Sequence, residues 1–77
     1  MSSAVEPRER NHREAAWTHD AAAARHADAA KRWEEQGDPE RAELERRNEE
    51  IEKMAAQLER DRADLEARRT AAESRAS

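Results

Sequence analysis

Three histidines and a tryptophan recur at intervals of seven residues in the first half of the chain: His12, His19, His26 and Trp33. Residues seven apart lie two turns apart on the same face of an α-helix, so the four rings share one face. Histidine both binds Zn²⁺ and changes its charge near neutral pH. The row therefore suggests two kinds of chemistry, a metal site and a pH-sensitive contact.

Metal binding by this row alone is excluded by distance. Side chains seven residues apart on one helix are about 10 Å apart, whereas a zinc–nitrogen bond is about 2 Å long. A zinc site would need ligands from a second helix or a second subunit, and the chain has no Cys to provide thiolates. We therefore predict no metal and no cofactor, with a site between helices or subunits as the alternative.

A pH-responsive contact is the second interpretation, and its candidate sensor is His12, His19 and His26. The positions one turn from His19 and His26 on the same helix are all Ala, so no carboxylate of that helix faces either ring. Protonation would then be unfavourable if the rings were buried. A simpler alternative is that the histidines only fill a half-exposed helix face.

Other chemistry has little support. The 77 residues include no Cys, no Tyr and no Gly-rich phosphate loop, and two thin helices cannot enclose a substrate pocket. Charged residues make up 44% of the chain and the net charge is −4. Because acidic residues alternate with Arg60, Arg62, Arg68 and Arg69, these arginines fit a salt-bridged helix better than a nucleic-acid surface. We predict a non-enzymatic protein that binds neither nucleic acid nor membranes.

Large apolar side chains are scarce, since 18 of the residues are Ala. The chain's Leu, Ile and Val residues are Val5, Leu44, Ile51, Leu58 and Leu65, and Phe does not occur. Such a composition permits a partly disordered, stress-protective helix former as one alternative. Ala, Glu and Arg are nevertheless strong helix formers, which favours an all-α fold.

A helix boundary is predicted at Gly37-Asp38-Pro39. Gly can adopt the left-handed conformation that ends a helix, Asp can cap the next helix, and Pro suits a first helical position. We predict an antiparallel helical hairpin or coiled coil with these boundaries: flexible tail 1–6, helix 7–36, turn 37–38, helix 39–72 and frayed tail 73–77.

The second predicted helix carries a row of larger apolar residues. Leu44, Ile51, Leu58 and Leu65 repeat every seven residues, and a parallel row of Glu begins at Glu45. We expect the apolar row to dock on the Ala-rich histidine face of the first helix. The predicted hairpin or oligomer seam is His19, His26, Trp33, Leu44, Ile51, Met54, Leu58 and Leu65. The Glu row is either a solvated face or charge that selects a partner.

Such a thin hairpin would be marginally stable alone, so we expect a homo-oligomer, such as a homodimer, or docking on a partner protein. Trp17 lies off the histidine row and is the candidate partner contact. The lack of Cys and of a signal-like or membrane-spanning segment favours the cytoplasm. Abundant Ala and Arg, with Lys at positions 31 and 53 alone, favour a GC-rich bacterial coding sequence.

The junction at 33–42 resembles the helix–turn–helix junction of tetratricopeptide repeats. That family has an aromatic residue, then Gly-Asp, then a small residue on the second helix, and Trp33, Gly37 and Ala42 match these positions. Ala30 stands where the family has a small residue between its helices. The resemblance implies helical-hairpin geometry and a protein-binding role.

The resemblance covers about a quarter of the chain. His26 and Arg46 replace two aromatic residues of the repeat, and Met54 replaces its closing Pro. The second helix continues beyond the length of a repeat, and there is no second copy on which to stack. The likeness is therefore one of turn geometry.

Overall fold

The computed structural model describes residues 6–76, which form two helices, α1 (Pro7–Glu35) and α2 (Pro39–Ala76). The helices pack against each other along their length in a shape measuring 61 × 20 × 10 Å between Cα atoms. His12 pairs with Glu59 and His26 with Glu45, so residue numbers rise along one helix as they fall along the other. The predicted all-α antiparallel hairpin is confirmed.

The observed helix ends differ slightly from the predicted ones. α1 ends at Glu35 with Gln36 as its C-cap, and α2 continues through residues 73–76, where the sequence predicts fraying. This last segment contains no Gly or Pro that would stop the helix. Of the tail predicted at 1–6, residues 1–5 lie outside the described residues, as does Ser77.

The start of α1 is held by Glu6 and Pro7. The Glu6 carboxylate accepts a hydrogen bond from the backbone N–H of Glu9 at 3.0 Å, which satisfies one of the free donors of the first turn. Pro7 follows at the first helical position, where its missing N–H costs no helical hydrogen bond. An acidic side chain here also interacts favourably with the helix dipole.

The connection between the helices is a Schellman-type C-cap. Gly37 has φ of +74°, its N–H donates to Glu34 O at 3.0 Å, and the N–H of Asp38 donates to Trp33 O at 2.8 Å. Both bonds satisfy carbonyls at the end of α1. Asp38 then caps α2, because its Oδ1 accepts from the N–H of Arg41 at 3.0 Å. Gly37 thus ends α1 in the left-handed conformation, and Asp38 caps the start of α2.

Alanine fills the contact between the helices. The buried residues are Ala16, Ala23 and Ala30 on α1 and Ala42, Ala56 and Ala63 on α2, and each set recurs at multiples of seven residues. Small side chains allow two helix axes to approach closely, so the contact is narrow and tightly packed.

The larger apolar residues of α2 lie elsewhere. Leu44, Ile51 and Leu58 are 57%, 60% and 49% exposed, whereas the sequence predicts them docked on α1. Leu44 and Leu58 each follow a buried Ala by two residues, which is about 200° around the helix, and Ile51 lies in the same heptad row as both. They therefore point away from α1. Neither described helix is long and apolar enough to cross a bilayer.

Candidate functional site

A ladder of three His–Glu pairs runs along one side of the contact between α1 and α2. The Nδ1 atom of His12 lies 2.6 Å from Glu59 Oε2, that of His19 lies 2.6 Å from Glu52 Oε2, and that of His26 lies 2.7 Å from Glu45 Oε2. All three imidazoles are part-buried, with 31–38% of each side chain exposed. Such short contacts fit a hydrogen bond in which Nδ1 donates to the carboxylate.

The ladder follows directly from two heptad rows in opposite directions. His12, His19 and His26 advance by seven residues along α1, while Glu59, Glu52 and Glu45 step back by seven along α2. In an antiparallel pair, an advance on one helix matches an equal retreat on the other. Once one rung is aligned, the others align as well. Trp33 continues the histidine row and lies beside the turn, with the Arg41 guanidinium 4.8 Å from its ring centre.

The carboxylates change how the histidine row is interpreted. The sequence predicts unfavourable protonation because α1 itself places no carboxylate near His19 and His26. In the structure the carboxylates come from α2, so a protonated imidazole would form an ion pair rather than an isolated buried charge. Both rows are visible in the sequence, and reversing one against the other would have identified the pairs.

The opposite side of the contact carries charged pairs that involve arginine. Arg60 Nη1 donates to Asp20 at 2.9 Å, and Arg46 donates to Glu34 near the turn. Arg13 Nη2 donates to Asp64 at 3.2 Å at the far end. These pairs are exposed, so water and salt weaken the attraction between their charges. Their value is to fix the register of the two helices rather than to stabilise the fold strongly.

Glu59 is the carboxylate of the ladder whose titration is clearly shifted. The hydrogen bond with His12 lowers the pKa of Glu59 below its ordinary value, and a second hydrogen bond from Arg62 acts in the same direction. Both donors favour the ionised carboxylate. The rung at His12 is thus held by a charged carboxylate at neutral pH.

No group of three or more His, Asp or Glu side chains within residues 6–76 has the geometry of a metal site. The three imidazoles are separated along α1 by two turns each, and each faces a single carboxylate. The described side chains therefore provide pairs of polar groups and not a coordination sphere.

The outer face of α2 is the second notable surface. It consists of the exposed apolar residues Leu44, Ile51, Met54, Leu58 and Leu65, which are 57%, 60%, 71%, 49% and 37% exposed, respectively. We call these five residues the outer stripe. Shallow depressions lie beside it near Leu44 and Ile51, lined by Glu43 and Arg47. The stripe is an apolar row of heptad spacing on a helix that already has a different, Ala-lined face toward α1.

The two tryptophans occupy different environments. Trp33 is half-buried at the turn, where it contacts Arg41. Trp17 is 73% exposed, and because it follows the buried Ala16 by one residue it points about 100° away from the contact with α2. Trp17 and the outer stripe therefore lie on different sides of the hairpin.

Comparison of the chain with family models, with curated proteins and with solved structures finds no significant match in any of the three.

Proposed function

We propose that this chain is a small, non-enzymatic helical module for protein–protein interaction, and that the outer stripe is its docking surface. One observation supports this most directly. The contact within the hairpin uses Ala, while the larger aliphatic side chains of α2 are left exposed. A sequence that places its few large apolar residues outside its own fold favours a role for them in contact with another molecule.

The energetics of burial support the same conclusion. Burying one Leu, Ile or Met side chain contributes about 1.5–3 kcal/mol. The five residues of the outer stripe obtain only part of that in the isolated hairpin, because 37–71% of their surface stays in water. Single exposed apolar residues are ordinary, but five large exposed apolar residues on one helix face of a small protein favour an interaction surface.

The shape of the stripe indicates the kind of partner. Leu44, Ile51, Leu58 and Leu65 recur every seven residues, and Met54 widens the row at its centre. A heptad row on one helix face is the pattern that packs against another helix. The partner surface is therefore expected to be helical.

Site-specific photo-crosslinking in cells tests this proposal. Benzoylphenylalanine placed at Ile51 should give a covalent adduct with a protein, identified by mass spectrometry. The same probe at Arg25, an exposed residue of α1, should give none. Adding Leu58→Glu should abolish the adduct at Ile51, because a charge in the stripe opposes burial. Equal adducts at both positions, or no adduct at Ile51, would contradict the proposal.

A second candidate is an acid-responsive interaction module. The supporting observation is the ladder, in which three histidines each contact a carboxylate at 2.6–2.7 Å. Under this proposal the oligomer size changes between pH 7.5 and pH 5.5, and replacing the three histidines with Asn removes that change. Sedimentation at the two pH values measures it, and an unchanged response in the triple variant would contradict it.

A further inference from the structure

We propose that the occupant of the outer stripe is a second copy of this chain, docked antiparallel with a two-fold axis near Met54. This inference rests on the proposed function, since it takes the outer stripe as the docking surface, and it adds the partner and its orientation. Contacts between identical chains related by a two-fold axis require a self-complementary surface. The residues on the outer face of α2 meet that requirement in two adjacent rows.

The first row is apolar, and it pairs with the same row of a second α2 that runs in the opposite direction. When a second α2 runs antiparallel with its centre near Met54, Leu44 lies beside Leu65 of the other copy, and Ile51 beside Leu58. Each large aliphatic residue of the row is thereby placed next to another. All four are exposed in the hairpin and available for this contact.

The second row is charged and becomes complementary on the same reversal. It consists of Arg47, Met54 and Asp61, each separated by seven residues, and it adjoins the apolar row on the outer face. Reversal about Met54 places Arg47 next to Asp61 of the other copy, and the symmetry repeats this pair on the other side of the axis. Met54 meets Met54. Arg47 and Asp61 are both exposed in the hairpin.

The flanking charges agree with this arrangement. To within one helical turn, the same reversal places Arg68 near Glu43 of the second copy. In the hairpin, 68% of the Arg47 side chain and 60% of Glu43 are exposed, so both can be reached by a second chain. Opposite charges at the edge of an apolar contact select orientation more than they add affinity.

A parallel arrangement lacks this complementarity. In a parallel, in-register pair of helices, each residue of the contact faces its own copy. Arg47 would face Arg47, and Asp61 would face Asp61, beside an apolar row that pairs equally well in either direction. Like charges across such a contact are repulsive. Charge complementarity therefore selects the antiparallel dimer.

The stripe from Leu44 to Leu65 is about 32 Å long. A strip of this length on a single helix forms an interface at the small end of those found in specific complexes. The dimer is therefore expected to dissociate on dilution, with a dissociation constant in roughly the micromolar range. Its detection requires a wide range of concentrations.

Sedimentation equilibrium of the full chain between about 1 µM and about 1 mM tests the inference. The wild type should pass from monomer to dimer within this range. Arg47→Asp and Asp61→Arg should each raise the dissociation constant about tenfold or more, because each turns two attractive contacts into repulsive ones. The double variant, which exchanges the two charges, should return toward the wild-type value.

Matched controls keep the result specific to the outer face of α2. Arg25→Asp and Asp28→Arg make the same charge changes on exposed residues of α1 and should leave the dissociation constant unchanged. Helicity by circular dichroism checks that each variant folds. A dimer that responds equally to the single variants and to these controls, or a double variant no tighter than either single variant, overturns the antiparallel contact.

The failure of this inference is distinguishable from the failure of the proposed function. If the wild type stays monomeric to about 1 mM while the probe at Ile51 forms an adduct with a different protein, self-docking is overturned and the interaction module stands. If the chain is monomeric and the probe at Ile51 forms no adduct, both are overturned. An adduct of twice the chain mass, together with the charge-exchange result, supports both.

Discussion

The inner and outer faces of α2 are both apolar, yet they carry different residues. The inner face has Ala42, Ala56 and Ala63, which are 0–3% exposed against α1. The outer face has Leu, Ile and Met, which remain largely in water. The inner face is suited to close approach and to a register set by flanking polar pairs, whereas the outer face offers larger side chains to a partner. Side-chain size, rather than hydrophobicity alone, separates the fold of this hairpin from its proposed interaction.

A large side chain placed on the inner face of α2 should disrupt its packing against α1 more than any change on the outer face. Ala56 is fully buried, so Ala56→Leu must push α1 and α2 apart. We expect the free energy of unfolding to fall by about 1–3 kcal/mol. Thermal unfolding followed by circular dichroism in dilute solution measures the change. Ala24→Leu, on an exposed position of α1, is the control and should have little effect.

The reverse change on the outer face should affect association instead of folding. Leu58 is 49% exposed in the hairpin, so Leu58→Ala should change the unfolding free energy of the dilute chain by less than about 1 kcal/mol. Its dimerisation should weaken about tenfold, because two Leu side chains leave the symmetric contact. Sedimentation and dilute thermal unfolding separate the two effects. A loss of dilute stability as large as that of Ala56→Leu would place Leu58 in the fold.

The turn can be tested through Gly37. A side chain added at Gly37 meets no atom within 4 Å, so the cost of Gly37→Ala comes from its φ of +74°. We expect the unfolding free energy to fall by about 1 kcal/mol. Gly37→Asn should lose less, because Asn tolerates the left-handed conformation better than Ala. Equal stability of the wild type and the Ala variant would contradict the C-cap described here.

Acid should reduce the stability of the fold slightly through protonation of Glu59. Because the pKa of Glu59 is lowered in the folded state, its contribution to stability is present above the unfolded-state pKa of about 4.3 and is lost as the pH falls through the folded-state pKa. Thermal unfolding from pH 7 to pH 2.5 should therefore show a steeper acid loss for the wild type than for Glu59→Gln.

The sequence predicts the hairpin well because its signals are local. Gly37, Asp38 and Pro39 each adopt a conformation or make a contact characteristic of their residue type, so the turn and both adjoining helix ends could be predicted to within one residue. The end of α2 was harder to predict because nothing in residues 73–76 stops a helix. The expectation of fraying there rests on the end of the heptad pattern, which is a weaker signal than a helix cap.

The inward face is harder to predict, because the most hydrophobic row of α2 is the natural candidate to face the partner helix. The Leu44–Leu65 row exceeds the Ala rows in hydrophobicity, but the buried residues of both helices are Ala and so match in size. Matching small rows allow the helices to approach more closely than Leu against His would. The cross-helix pairs could have been found by reversing the Glu45 row against the His12 row.

The His–Glu ladder also has a consequence for how the chain finds its alignment. Since all three rungs have the same two residue types and the same spacing, sliding α2 by one heptad would pair His19 with Glu59 and His26 with Glu52. The ladder therefore specifies the spacing of the pairs but does not determine which His pairs with which Glu. The short connection through Gly37 fixes this register, because it determines which residue of α2 first contacts α1. With a longer, flexible connection, the arginine pairs on the opposite side of the contact, such as Arg60 with Asp20, would have to select the alignment alone.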